Sequence, residues 1–482
     1  MKKLGLLLGL MSFLIFCSTG FTQELKMAPL NPEFVKWLEA KKAGKVQLKT
    51  EDGQFLGLIP PPFKFPKVSK SSGINLFEAQ ALPSKFDLRT VNGVTPVRNQ
   101  GVCGSCWTFA TMASLESYLK YKKSQTWDFS EQDLNQYHGF AVPECEGGNA
   151  LMSTAYLTRW SGPVKEEDVP FPYVSATPGA AVVKHVQKVW FLPNPKNINA
   201  IKTAVYNYGA MYIAFYWNSS YYDSTTTAYY CNSTNSANHA VAIVGWDDDF
   251  PKEKFKIQPP GNGAFIVKNS WGTSWGKNGY FYLSYYDKTL DEAVSFYDAQ
   301  PTSNYKRIYE YDPFGLVDAI GCGSDTAWGA NIFLASSNAD LIKAVGFYAL
   351  VPNTQYTIYI YDNVTNLSNP RSGALIKTVS GTASKPGYVT VPVGDVKVTP
   401  NKRFSVVIKF KTPNYNYSVP IEKRIWSYTD TASCGMKQSF ASCDGTSWID
   451  TCAYWGNDPH DDYNNVNVNI KAYAVKSTQQ IS

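Results

Sequence analysis

Histidine is the scarcest resource of this chain: 482 residues contain only four, His138, His185, His239 and His460. Any chemistry that needs an imidazole therefore has few candidates. Metal-ligand spacing is missing as well. Cys103 and Cys106 form a C-x-x-C, but no second pair and no histidine cluster follows at zinc spacing. Neither a metal nor another cofactor is implied. Charge is light at 17%, and the net charge of +6 is unevenly placed. Residues 1–81 hold 11 lysines against 6 acids, which leaves 34 basic and 33 acidic residues for the remainder. A nearly neutral body offers nucleic acid no electrostatic footprint. Long apolar runs are absent after Leu4 to Cys17, and that run is too short to span a membrane. Met1-Lys2-Lys3 precedes it, and Ser18 and Gly20 follow as small residues at a cleavage site. Residues 1–20 therefore read as a secretory signal, and the protein is expected outside the cell, secreted or at the surface, and not membrane-spanning.

What is present points to a multidomain globular protein. The length exceeds one ordinary core, 44% of residues are hydrophobic and 15% aromatic, and the 32 tyrosines concentrate from Tyr206 onward. Nine cysteines less Cys17 of the leader leave eight, most of which should pair in an oxidising compartment.

The stretch Pro96 to Ala110 organises the rest. A glycine-rich turn runs directly into Trp107 to Lys123, a breaker-free segment whose small and apolar first half suits a helix buried on most sides. Ser105 or Cys106 then stands at the helix N-terminus, where unpaired backbone N–H groups and the dipole favour a thiolate. Thiolate is the reactive form, so Cys106 is the candidate nucleophile. Cys103-Gly104-Ser105-Cys106-Trp107 matches the C-G-[SA]-C-[WY] signature, and the segment resembles the papain-like cysteine peptidases.

A cysteine nucleophile needs a base and a group that orients the base. Of the four histidines only His239 opens an apolar strand, Asn238 to Trp246, and it lies 133 residues after Cys106. Asn269, in Lys268-Asn269-Ser270-Trp271-Gly272, is the candidate orienter, with Trp271 shielding its hydrogen bond from water. The resemblance implies further roles. Gln100 and the Cys106 backbone N–H match the oxyanion donors, and Gly147 and Gly148, with Asn238 where an aspartate is frequent, match the backbone that meets extended substrate. Cys103 and Cys145 match the family's disulfide, and Tyr137 stands where a second family cysteine is usual. The match runs in order from Leu82-Pro83-Ser84-Lys85-Phe86-Asp87-Leu88-Arg89, through Ser130 to Leu134, to Tyr286.

The resemblance assigns an α+β class: a two-lobed papain-like fold, helical lobe then β-barrel-like lobe, followed by an all-β sandwich. Domains are expected at 1–20 for the signal peptide, 21–81 for a propeptide, 82–304 for the peptidase and 308–475 for the sandwich. The propeptide carries a short amphipathic pattern around Phe34, Val35 and Leu38, then Ile59-Pro60-Pro61-Pro62-Phe63, and is expected to lie across the cleft. Alternating runs at Leu341 to Leu350, Gln355 to Tyr361, Gly387 to Pro392, Arg403 to Phe410 and Asn465 to Val475 give the sandwich, which resembles a lectin-like domain behind some peptidases of this family. Trp426, Trp448, Tyr454 and Trp455 either stack on sugars or fill its core, the core being the stronger expectation. The function expected is a secreted endopeptidase that cuts protein or peptide substrates through a thioester. The competing reading is a non-catalytic cell-surface or glycan-binding protein that uses the peptidase fold as scaffold.

Overall fold

A computed structural model describes residues 24–67, 81–172, 179–458 and 463–477. The expected leader and His460 lie outside the described residues. Four helices position the site. Helix α1, Pro32–Lys42, is capped by Asn31, whose side chain accepts from Glu33 N, and it buries Phe34 and Leu38 while Val35 stays at the surface. Helix α2, Cys106–Lys123, is buried over its first fourteen residues, as its alanines, threonines and serines allow. Helix α3, Glu131–Tyr137, begins at Ser130, which accepts from Asp133 N, and α4, Ala150–Thr158, begins at Asn149, which accepts from Met152 N. Each cap supplies an acceptor to N–H groups that the helix itself cannot satisfy.

The β lobe is an antiparallel sheet in which His239–Asp247 lies between Met211–Phe215 and Ala264–Lys268, with Tyr280–Ser284 beyond. Behind residue 305 a sandwich forms. One layer runs Ala374–Ala383, Thr354–Asp362, Arg403–Lys411, Thr326–Leu334, Ser439–Ser442. The other contains Leu341–Ala349, Gly387–Lys397 and Ile470–Val475, and the apolar faces of both layers share one core that includes Val345, Phe347, Ile358, Val406, Phe410 and Ile470.

The sequence presents this region as separate; the backbone does not. Gly387–Lys397 pairs with His185–Phe191 of the peptidase region, Tyr388 opposite Val189. His185–Phe191 pairs in turn with Ala293–Gln300, which pairs with Met211–Phe215. One hydrogen-bonded sheet therefore runs from the sandwich into the β lobe. Within the sandwich region Lys471, fully buried, donates to Glu310 and lies 3.1 Å from Asp312. Cys103–Cys145, Cys322–Cys443 and Cys434–Cys452 are bridged, and Cys106 and Cys231 are free.

Candidate active site

Cys106 is the first residue of α2, and His239 is the first residue of the long central strand of the β lobe, so the two lobes meet at these side chains. Ala240 N–H, next to His239, donates to Cys106 Sγ at 3.3 Å. The other face of the imidazole is fixed. His239 Nε2 lies 2.9 Å from Asn269 Oδ1, and that oxygen also accepts from Ser270 N at 2.8 Å, which sets the amide orientation. An acceptor on that side makes Nε2 the donor, so in the neutral ring Nδ1 carries the lone pair. Nδ1 is buried and has no hydrogen-bond partner among the described residues. Trp271 stacks on the His239 ring with centroids 4.6 Å apart.

Gln100 is positioned with equal care. Its Oε1 accepts from Ser270 Oγ at 2.6 Å, which turns Nε2 toward the mouth of the site, where it donates to Cys103 O at 2.8 Å, Leu56 O at 2.9 Å and Phe55 O at 3.1 Å. Phe55 and Leu56 belong to the N-terminal segment, and Trp271 Nε1 also donates to Phe55 O. The segment continues along the cleft: Gly148 N donates to Gly57 O at 3.0 Å, Ile59 N to Gly148 O at 2.9 Å and Leu58 N to Asn238 O at 3.3 Å. Leu58 pairs with Gly148 in parallel. The two expected backbone glycines thus do different things. A Cβ at Gly147, whose φ is +111°, would press on Gly57 O and Ile59 at 3.0 Å, whereas a Cβ at Gly148 would enter the Trp107 indole beneath it. Asn238 meets the cleft only through its carbonyl; its side chain accepts from Trp217 N and donates to Trp217 O.

Closure dries the pair. Burial pushes the Cys106 thiol up to about 12 and His239 down to about 4, so both are neutral under the segment. Behind them lies a polar chain that sequence reading did not single out. Lys268, the residue before Asn269, donates to Thr95 Oγ1 at 3.2 Å, and Thr95 donates to Glu116 Oε2 at 2.6 Å. Glu116 is in α2, so this chain ties the Asn269 strand to the helix that carries Cys106. A lysine directly ahead of the candidate orienter Asn269 was the available signal. Of the aromatics weighed for sugar stacking, Trp448 and Trp455 pack on apolar clusters while Trp426 and Tyr454 are exposed. Among the described residues no cluster of His, Cys, Asp or Glu fits a metal, and no helix is long and apolar enough to cross a membrane.

A helix-terminal cysteine facing an asparagine-held histidine across two lobes is the arrangement of papain-like cysteine proteases. Residues 82–295 match the model for the papain family of cysteine proteases and residues 308–474 match that for a lectin-like domain: the chain carries a papain-family peptidase domain followed by a C-terminal lectin-like domain. The probable cysteine protease RD19B of Arabidopsis thaliana is 31% identical over 234 residues, 45% of this chain and 62% of the relative. Mouse (Mus musculus) cathepsin K is 33% identical over 222 residues, 42% of this chain and 60% of the relative. The chain thus spans about three fifths of these relatives' length. Among solved structures, the cysteine protease and lectin-like domains of Cwp84, a surface layer associated protein of Clostridium difficile, superpose with a TM-score of 0.78 at 26% identity, covering 94% of this chain and 98% of that one. A structure of the same clostridial protease after propeptide cleavage gives 0.73 at 28% identity, covering 82% and 100%.

Proposed function

We propose that this protein is an exported cysteine endopeptidase, made as a latent precursor, that hydrolyses peptide bonds through a thioester acyl-enzyme. The observation that carries the reading is the contact of His239 Nε2 with Asn269 Oδ1: with that oxygen accepting, Nε2 keeps its proton and Nδ1 is left to serve as the base for Cys106. In the proposed mechanism Cys106 Sγ gives its proton to His239 Nδ1 and attacks the substrate carbonyl. The oxygen, negative in the tetrahedral intermediate, is held by Gln100 Nε2 and the Cys106 N–H at the start of α2. His239 then returns the proton to the leaving amine, and the thioester is hydrolysed by a water that His239 activates. Gly147, Gly148 and the Asn238 carbonyl hold the substrate backbone, and Trp271 keeps water from the His239–Asn269 bond.

The segment 21–81 is the latency device in this reading, since Phe55 and Leu56 carbonyls already occupy the Gln100 donor. Export through the signal at residues 1–20 agrees with the bridged cysteines, and the Cwp84 relative is described as surface layer associated. Protein or peptide is the substrate, and a glycan or cell-surface ligand is the proposed partner of the lectin-like domain. The test is hydrolysis of a fluorogenic peptide by the processed chain, with the acyl-enzyme trapped at low temperature and weighed by mass spectrometry. An adduct on Cys106 that is absent from Cys106→Ala supports the reading. Hydrolysis that persists in Cys106→Ala rejects it.

A further inference from the structure

The N-terminal segment touches more than the cleft. Lys26–Met27 is the edge strand of a small sheet whose next members are Asp318–Gly321, Val419–Glu422 and Asn467–Val468, all from the lectin-like domain. Lys26 lies opposite Gly321 and Met27 opposite Ile320, and Ala28 N donates to Ala319 O at 2.8 Å. Leu25 is buried in the sandwich core with Ile320, Cys322 and Val419, and Met27 packs on the same cluster. Met27 Sδ also sits 3.6 Å from Lys423 Nζ, whose ion pair with Asp318 is buried. Helix α1 continues the contact: Phe34 and Trp37 face Tyr428 at 4.9 and 6.5 Å, and Lys41 Nζ donates to Ala141 O at 3.0 Å and Ser427 O at 3.1 Å. Without Lys26–Met27, Asp318–Gly321 becomes a bare edge beside an apolar slot. Such an edge accepts an added strand: backbone hydrogen bonds supply affinity and the slot selects alternate side chains.

We propose that the lectin-like domain is a strand receptor, whose Asp318–Gly321 edge takes an extended polypeptide with apolar side chains two residues apart. Its occupant in this chain is Leu25–Ala28, which stays docked after the link to the peptidase domain is cut. The proposal rests on reading residues 21–81 as a propeptide that is cleaved. Its consequence is that cleavage alone does not clear the cleft. Docked at one end, the segment presents Phe55 to Ile59 to the cleft at high effective concentration, and latency ends only when the clasp opens.

The test uses the chain from residue 21 with Cys106→Ala, a fluorophore at its N-terminus and a site-specific protease sequence in place of residues 71–77. After cutting and dilution, release of the N-terminal fragment is followed by anisotropy for the parent, Leu25→Asp and Ala28→Pro. Thermal unfolding before cutting checks that each variant is folded. Retention by the parent, with release at least about tenfold faster in both variants, is the expected result. Equal release rates would overturn the docking. The same cut with Cys106 intact separates the two claims. Peptide hydrolysis that rises with fragment release supports both. Release with no hydrolysis counts against the peptidase reading and leaves the strand receptor standing.

Discussion

In the proposed mechanism Asn269 decides which nitrogen of His239 can act, through the contact of its amide oxygen with Nε2. Its oxygen is committed to Nε2 and to Ser270 N, so Asn269→Asp would keep an acceptor there and Asn269→Leu would remove it. Activity is expected to survive the first change far better than the second. Gln100 is the next test at this scale. Its amide is aimed by Ser270, and Gln100→Ala is expected to lower kcat by about 10² to 10³, the usual cost of one oxyanion donor. Titration gives a third. A histidine whose pKa burial has lowered to about 4 stays neutral until the pH falls through that value, so the His239 ring signal of the latent chain should titrate near pH 4 by NMR. A midpoint near 6.5 would mean that the cleft is open to water. Cys106 and His239 could be singled out as candidates because cysteine and histidine are scarce in the chain, and Asn269 and Gln100 because they stand in recognisable motifs. A propeptide across the cleft was expected, but which of its residues enter the cleft was not. Phe55 to Ile59 bind through carbonyls and N–H groups, which every residue possesses, so no side-chain pattern marked them.

At the scale of elements, two glycines hold backbones at distances no side chain permits. Gly57 has φ +138°, and a Cβ there would fall on the Gly104 carbonyl of the turn before Cys106. Gly57→Val should therefore lift the N-terminal segment from the cleft and give alkylation of Cys106 without proteolysis, measured by probe labelling of the uncut chain. Gly387 has φ +125° where the lectin-like domain joins His185–Phe191, and its Cβ would fall on Val189 O. Gly387→Val should destabilise the junction by about 1–3 kcal/mol in denaturant unfolding, the cost of strain at a backbone that L side chains avoid. The helices at Cys106–Lys123 and Glu131–Tyr137 could be read from their sequence pattern and the Ser130 cap, and strands such as Met211–Phe215 and Arg403–Lys411 from alternation. The helix Ile198–Tyr208 was not read and fell in a stretch taken as alternating. His185–Phe191 was missed because both of its faces are buried, which removes the alternation that marks a strand.

For the whole molecule, the shared sheet makes the lectin-like domain part of the peptidase body, and the N-terminal segment binds to both. Sequence separated these parts because it records composition along the chain, whereas their union is a register between strands about 200 residues apart. Within the lectin-like domain Lys471 is buried beside Glu310 and Asp312. Lys471→Met would strand two carboxylates, one of them Asp312, which burial already raises to about 6, and should cost about 3–5 kcal/mol. The most direct measurement is the pH dependence of Cys106 alkylation before and after removal of the N-terminal segment. In the latent chain the thiol is expected to stay unreactive until the pH approaches about 12. Once freed, it should react below about pH 6 as a thiolate–imidazolium pair, and His239→Ala should abolish that reactivity. A freed Cys106 that titrates as an ordinary thiol near about pH 8.5, unchanged by His239→Ala, would contradict the account.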